Sequence, residues 1–151
     1  MIYTLGYTGC DPGDLRDLAH LKSTVVIDTR FSPRSRVPAW DGAALKALLG
    51  GSYTHDRNLG NRNYKNGRPI EIVNLRRGLE GVKAYLKHDL NVLLLCACSD
   101  LKTCHRRVIA DALFAALGQP ITHLTAASLA RLASDIRSPE NVQLALWGDN
   151  S

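Results

Sequence analysis

The chain has 151 residues, which suits one domain with a buried core, and its 45% hydrophobic content excludes a disordered chain. No apolar run reaches membrane-spanning length, and the opening MIYTLGY lacks the basic segment of a signal peptide. We therefore expect a cytoplasmic protein with no membrane partner. The net charge of +5 favours an anionic partner, a nucleotide or nucleic acid, although a charge that serves only solubility is equally compatible.

Predicted strands and helices alternate along the chain. Strands are expected where apolar and β-branched residues run together, at residues 1–6, 24–27, 52–55, 91–97 and 121–124. Helices are marked by N-caps and apolar spacing, and are predicted from residue 11 and at 41–49, 71–88, 104–117 and 126–136. We expect Val108 and Ala116 to face inward, and the tail at 138–151 to pack through Leu144, Leu146 and Trp147.

This alternation predicts an α/β fold for a single domain spanning 1–151. We expect a three-layer, Rossmann-like sandwich with a mostly parallel sheet of about five strands. A strand order of 3-2-1-4-5 would place strands one and four beside the ligand crevice. Ligands of such sheets bind at the carboxyl ends of the strands, which selects the segments 6–9, 28–36, 56–68 and 96–107.

The strongest chemical pattern is segment 96–107, where a buried strand ends, a polar loop follows and a helix begins. Free amides and the positive dipole at a helix start hold anions and lower the pKa of a thiol. Cys104 lies near that start, followed by His105 and two arginines. We predict Cys98 or Cys104 as nucleophile or acid, with His105 carrying the proton.

Other uses of these thiols remain open. Cys96 is interpreted as a small buried residue of the core strand. Together with Cys98, Cys104 and His105 it would supply four zinc ligands. The spacing is not that of a paired knuckle, however, and adjacent Cys104 and His105 seldom reach one ion, so no metal and no cofactor is predicted. The spacing also departs from the phosphatase and rhodanese loop, since no arginine lies six residues after Cys96 or Cys98.

Two further segments are rich in arginine. In 28–36, Asp28 would orient a substrate or an arginine while three arginines hold phosphate through their bidentate forks; an Asp28–Arg30 ion pair is the alternative. In 56–68, basic residues surround Tyr64, a pattern that suits a nucleic-acid backbone with a stacked base, or simply a solvated loop. Trp40 would stack on a base or fill the core.

The motifs resemble those of the DUF488 family of small, mostly bacterial and archaeal proteins of unknown function. Residues 4–8 (TLGYT) are similar to its T-I-G-H-S motif, and 28–36 (DTRFSPRSR) to its D-V-R-x-x-P-x-S-R motif. Leu59-Gly60 resembles its central L-G pair, and 96–106 resembles C-A-E-x-x-x-x-x-C-H-R. The similarity runs in order over roughly residues 1–124. It implies an α/β sandwich and no established reaction.

The resemblance has two departures. Tyr7 stands where the family usually has histidine, and Cys98 where it has glutamate, so acid–base work by that pair would differ here. The positions that match the family are Asp28, Arg30, Pro33, Ser35, Arg36, Cys96, Cys104, His105 and Arg106.

We therefore predict an enzyme, a hydrolase or transferase, acting on a nucleotide or nucleic-acid component. The alternatives are a non-catalytic nucleotide or nucleic-acid binding module and a metal-stabilised interaction domain. The predicted catalytic residues are Cys98, Cys104, His105 and Asp28. The predicted substrate- or phosphate-binding residues are Tyr7, Thr8, Arg30, Arg34, Ser35, Arg36, Arg106 and Arg107.

Overall fold

Five parallel strands form one sheet at the centre of the protein. The computed structural model describes the backbone of residues 1–147 and side chains as far as residue 143. The strands lie in the order β3-β2-β4-β1-β5. Their bounds are β1 Ile2–Gly6, β2 Thr24–Asp28, β3 Tyr53–His55, β4 Asn91–Cys96 and β5 Ile121–Leu124.

This order corrects the predicted order 3-2-1-4-5, because β4 lies between β1 and β2. In the register, Leu5 pairs with Leu95 on one side of β4, and Asp28 pairs with Leu95 on the other. The reason is hydrophobicity: Val92 to Leu95 are fully buried, and such a run is most stable in the middle of a sheet covered on both faces.

The correction moves the ligand crevice. The chain leaves β2 towards β3 at one edge of the sheet, and it leaves β4 towards β5 at the other edge. Because the two connections diverge, a crevice opens between the carboxyl ends of β2 and β4, rather than between β1 and β4.

Helices cover both faces of the sheet. Leu15, Leu45 and Leu129 pack on one face with Leu5 and Leu95, and Val82, Ile109 and Leu113 pack on the other with Val92 and Leu94. The α/β sandwich is thus confirmed, with an all-parallel sheet. The helix bounds are α1 Pro12–Leu21, α2 Gly42–Leu49, α3 Leu75–Lys87, α4 His105–Leu117, α5 Ala126–Ile136 and α6 Pro139–Trp147.

Three local predictions need correction. The third helix begins at Leu75, not at 71, because the side chain of Asn74 caps it by accepting from the amide of Arg77. Val108 and Ala116 are exposed, since Ile109 and Leu113 carry the buried face of α4. The tail contains α6, and the predicted packing of Leu144, Leu146 and Trp147 lies outside the described side chains. Within the described residues, no helix combines the length and apolar character needed to cross a membrane.

Candidate functional site

A pocket of about 360 Å³ opens at the carboxyl edge of the sheet, over the crevice between β2 and β4. The arginine-rich loop after β2 and the loop after β4 form its two main walls, so the predicted convergence of these segments is confirmed. Residues after β1 and β3 complete it. The lining consists of Tyr7, Arg30, Phe31, Ser32, Arg34, Asn61, Tyr64, Cys96, Ala97, Cys98, Thr103, Cys104 and His105.

A buried thiol–imidazole pair lies in the wall of this pocket. The Cys96 sulfur is 3.7 Å from His105 Nδ1, and His105 Nε2 is 2.8 Å from the carbonyl oxygen of Thr29. A carbonyl only accepts, so Nε2 carries the hydrogen and the neutral ring presents the Nδ1 lone pair to Cys96. Thr29 is itself held by β4, because both its amide and its hydroxyl donate to the Leu95 carbonyl.

Cys104 is the third member of the cluster. It is the N-cap of α4 and has an extended backbone, so its side chain and that of the first helical residue, His105, both reach Cys96. The neighbouring thiol of Cys104 lowers the pKa of Cys96, and His105 lowers it further, while burial opposes both. The proximity of Cys96 and burial both raise the pKa of Cys104, which favours its thiol form.

The protonation of His105 depends on the adjacent thiol of Cys96. Burial alone would lower the pKa of His105, but the hydrogen bond and charge of Cys96 raise it overall. A lowered thiol pKa beside a raised imidazole pKa favours the thiolate–imidazolium form of the pair.

The cluster also presents a set of metal-binding atoms. The Sγ atoms of Cys96 and Cys104 and a ring nitrogen of His105 all lie within 4.8 Å of one another, and all three residues are buried. Adjacent Cys104 and His105 thus bring their ligand atoms together, although such neighbours were expected seldom to reach one ion. Cys98 stands apart: it is half-buried, and its thiol donates to the carbonyl of Asp100 at 3.7 Å.

Asp28 and Arg30 form a buried bidentate ion pair. Arg30 Nε donates to Asp28 Oδ1 at 2.8 Å and its NH2 group to Oδ2 at 2.6 Å, and Tyr53 donates to the same Oδ2. Burial opposes the charge of Arg30, but Asp28 raises the pKa of the guanidinium overall. Asp28 does not line the pocket, and most Arg30 donors are already occupied, which matches the ion-pair alternative.

Tyr7 joins this ion pair to the pocket. Its hydroxyl accepts from Arg30 and donates to Ser35 Oγ, and its ring stacks on buried Trp40 with centroids 4.6 Å apart. Trp40 is thus a core residue. Ser35 Oγ also accepts a hydrogen bond from the Val37 amide. Tyr7 and Arg30 line the pocket, whereas Ser35 and Trp40 do not.

Hydrogen bonds from residues outside the pocket hold the loop after β4 in place. Buried Arg106 donates to the Cys98 carbonyl at 2.7 Å and to Thr4 Oγ1 at 3.4 Å, while Thr8 Oγ1 donates to the Ala97 carbonyl. Gly6 permits this approach, because a Cβ there would lie 1.7 Å from the Cys98 carbonyl oxygen. Thr8 and Arg106, predicted as phosphate ligands, lie outside the lining and hold the loop in place.

The outer rim of the pocket is basic and aromatic. Exposed Arg34 lines it, and Phe31 and Tyr64 face each other with centroids 5.5 Å apart. Arg57 lies 4.2 Å over the Phe31 ring. Arg36 and Arg107 are exposed and outside the lining, and Arg107 pairs with Asp111 on α4.

The sequence did not predict the roles that Cys96 and Thr29 have in the site. Cys96 is buried as expected, but its sulfur faces His105 instead of filling space, and Thr29 orients that histidine through its backbone. The side-chain alternation of β4 predicted burial for Cys96 without indicating what it meets. For Thr29 no sequence signal exists beyond its position at a strand end, since any residue has a carbonyl.

Comparison with known proteins identified no relative of this chain. No protein-family model matches the chain, and neither a curated protein nor a solved structure is significantly similar to it. The DUF488 resemblance therefore stays a prediction.

Proposed function

We propose that the protein is an enzyme, a hydrolase or transferase, that acts on a nucleotide or nucleic-acid component through the sulfur of Cys96. The observation that carries this proposal is the Cys96–His105–Thr29 arrangement: a thiol facing an imidazole nitrogen, with the other ring nitrogen fixed by a carbonyl. A nucleophile, a base and a group that orients the base are the parts that covalent catalysis requires.

The proposed reaction proceeds in two steps. With its proton held by His105 Nδ1, the Cys96 sulfur forms a bond to an electrophilic carbon or phosphorus of the substrate. The leaving group takes the proton from Nδ1 as its own bond breaks. Water, for a hydrolase, or a second acceptor, for a transferase, then displaces the sulfur, which restores the thiol.

The nucleotide class is supported by the size and rim of the pocket. A volume of about 360 Å³ suits a small-molecule ligand. Tyr64 is 48% exposed at the pocket and offers a stacking face for a base. Arg34 lines the opening, and no carboxylate among residues 1–143 forms an ion pair with it, so its guanidinium can bind phosphate.

The DUF488 resemblance belongs to the same proposal, as does a cytoplasmic location. The matched motifs contain Cys96 and His105 themselves and the Asp28–Arg30 pair that supports the pocket. A reducing cytoplasm would keep the thiols free, and all four cysteines are free in the structure.

Turnover by a panel of compounds tests this function. Reduced, metal-free protein is incubated with nucleosides, nucleoside mono-, di- and triphosphates and a short single-stranded oligonucleotide, and products are identified by mass spectrometry. We expect turnover of at least one class, lost in Cys96→Ser and His105→Gln. Cys10→Ser is the matched control, because Cys10 lies outside the pocket. Absence of any product, or full turnover by Cys96→Ser, overturns the proposal.

A binding module is the second candidate, favoured by the exposed Tyr64 and the basic loop around it. Lys65 lies 5.4 Å from the Tyr64 ring, and both are exposed. Binding of a fluorescent oligonucleotide should weaken steeply with salt, and Tyr64→Ala should reduce it, while Cys96→Ser should not. Tight binding without turnover would establish this candidate, and no binding at low salt would eliminate it.

A further inference from the structure

We propose that Cys96, Cys104 and His105 form a binding site for a soft divalent cation, Zn²⁺, with one coordination position open to the pocket. Two cysteines and one histidine are a known ligand set for zinc sites that keep a position free. The three ligand atoms come from a strand end and from the start of a helix, two rigid elements.

The separations of the ligand atoms suit a tetrahedral ion. Zinc bonds of ordinary length place neighbouring ligand atoms roughly 3.5–3.8 Å apart. Cys96 Sγ and His105 Nδ1 are already 3.7 Å apart, and the whole set lies within 4.8 Å. The remaining separations are at most about 1 Å longer than those of a zinc site, so a small adjustment of the side chains brings all three atoms to bonding distance.

The histidine is oriented as metal-binding histidines are. Such a residue usually donates its second ring N–H to a carbonyl or carboxylate, which fixes the ring and the tautomer. His105 Nε2 donates to the Thr29 carbonyl at 2.8 Å, so the lone pair of Nδ1 is available to a metal ion, and Nδ1 is the atom that faces the Cys96 sulfur.

The fourth position faces the pocket because Cys96, Cys104 and His105 all line it. Cys98 does not fill this position, since its thiol is turned towards the Asp100 carbonyl. Water or a small anionic ligand that enters the pocket would therefore complete the coordination.

Zinc and the proposed reaction compete for the same atoms. Binding takes the Cys96 sulfur and the Nδ1 lone pair, which removes both nucleophile and base. The zinc site itself does not depend on the proposed function, and only this inhibitory consequence rests on it.

Zinc binding to the whole chain tests the site. Reduced protein is stripped with a chelator, Zn²⁺ is titrated in competition with a chromophoric chelator, and Co²⁺ is substituted for its thiolate charge-transfer band. We expect one tightly bound ion per chain and a strong Co²⁺–thiolate band. Cys96→Ser and Cys104→Ser should each weaken binding at least about 100-fold, whereas Cys98→Ser and Cys10→Ser should leave it unchanged. Failure to bind one ion, or equal binding by Cys96→Ser and Cys98→Ser, overturns the site.

A measurement on the unmutated chain guards against variants that fail to fold. Iodoacetamide labelling with peptide mapping is compared with and without Zn²⁺. Protection of Cys96, with Cys10 and Cys98 labelled equally in both samples, supports the site, and labelling of Cys96 unaffected by Zn²⁺ overturns it. Turnover is measured on metal-free protein, so absence of turnover there refutes the proposed function without affecting the zinc result.

Discussion

Removing the charge of Asp28 should destabilise the protein strongly. Asp28 is fully buried, and its oxygens accept from the guanidinium and backbone amide of Arg30 and from the hydroxyl of Tyr53. Asp28→Asn keeps the shape but leaves the Arg30 cation buried without a counter-charge. Loss of one partner of a buried pair costs about 3–5 kcal/mol, a large part of the stability of a domain.

Urea unfolding followed by circular dichroism measures this cost. A double-mutant cycle with Arg30→Met separates the ion pair from the other contacts of Asp28, and we expect a coupling energy of about 2 kcal/mol or more. The control is Asp111→Asn, because the Arg107–Asp111 pair is exposed and should contribute less than about 1 kcal/mol. A cost of Asp28→Asn below about 1 kcal/mol would refute the argument that the pair anchors the arginine loop.

Three further substitutions probe the supports of the pocket, each by the same unfolding measurement. Gly6→Ala should cost more than about 2 kcal/mol, because its Cβ would clash with the Cys98 carbonyl, whereas Gly51→Ala should change stability by less than about 0.5 kcal/mol, since nothing lies within 4 Å of its added Cβ. Equal effects would contradict the close approach. Arg106→Met should cost about 2–3 kcal/mol and speed proteolysis within 97–103, through loss of its hydrogen bonds to Cys98 and Thr4; unchanged proteolysis would show that Arg106 does not hold the loop. Trp40→Leu should cost about 2–4 kcal/mol through lost stacking on Tyr7, and an unchanged midpoint would argue against that role.

Much of the fold could be predicted because its signals are local. The hydrophobic run at 91–97 indicates a buried strand, and the Asp11-Pro12 start of α1 indicates an N-cap, which the structure confirms. The strand order depends instead on which strand is most favourably buried on both faces. The outcome depends on the relative hydrophobicity of all five strands, which local patterns do not compare. The assumed order therefore placed β1 at the central position that β4 occupies.

The position of the candidate site in the fold could be predicted from the sequence, but the contacts among its side chains could not. The rule for parallel sheets brings residues 28–36 and 96–107 to one edge. It gives no side-chain directions, so it did not indicate that Arg106 turns away from the pocket to hold the Cys98 carbonyl, or that Cys96 meets His105. The extended backbone at Cys104, which allows that convergence, depends on the cap geometry of α4 and not on residue spacing.

The reactivity of Cys96 tests the central claim most directly. Metal-free protein is labelled with iodoacetamide at neutral pH, and the rate at each cysteine is followed by peptide mass spectrometry. If His105 and Cys104 stabilise the Cys96 thiolate, Cys96 reacts faster than Cys104 and Cys10, and His105→Gln slows it by about tenfold or more while Cys10 is unaffected. Slow labelling of Cys96, or a Cys96 labelling rate that is unchanged in His105→Gln, would contradict the account.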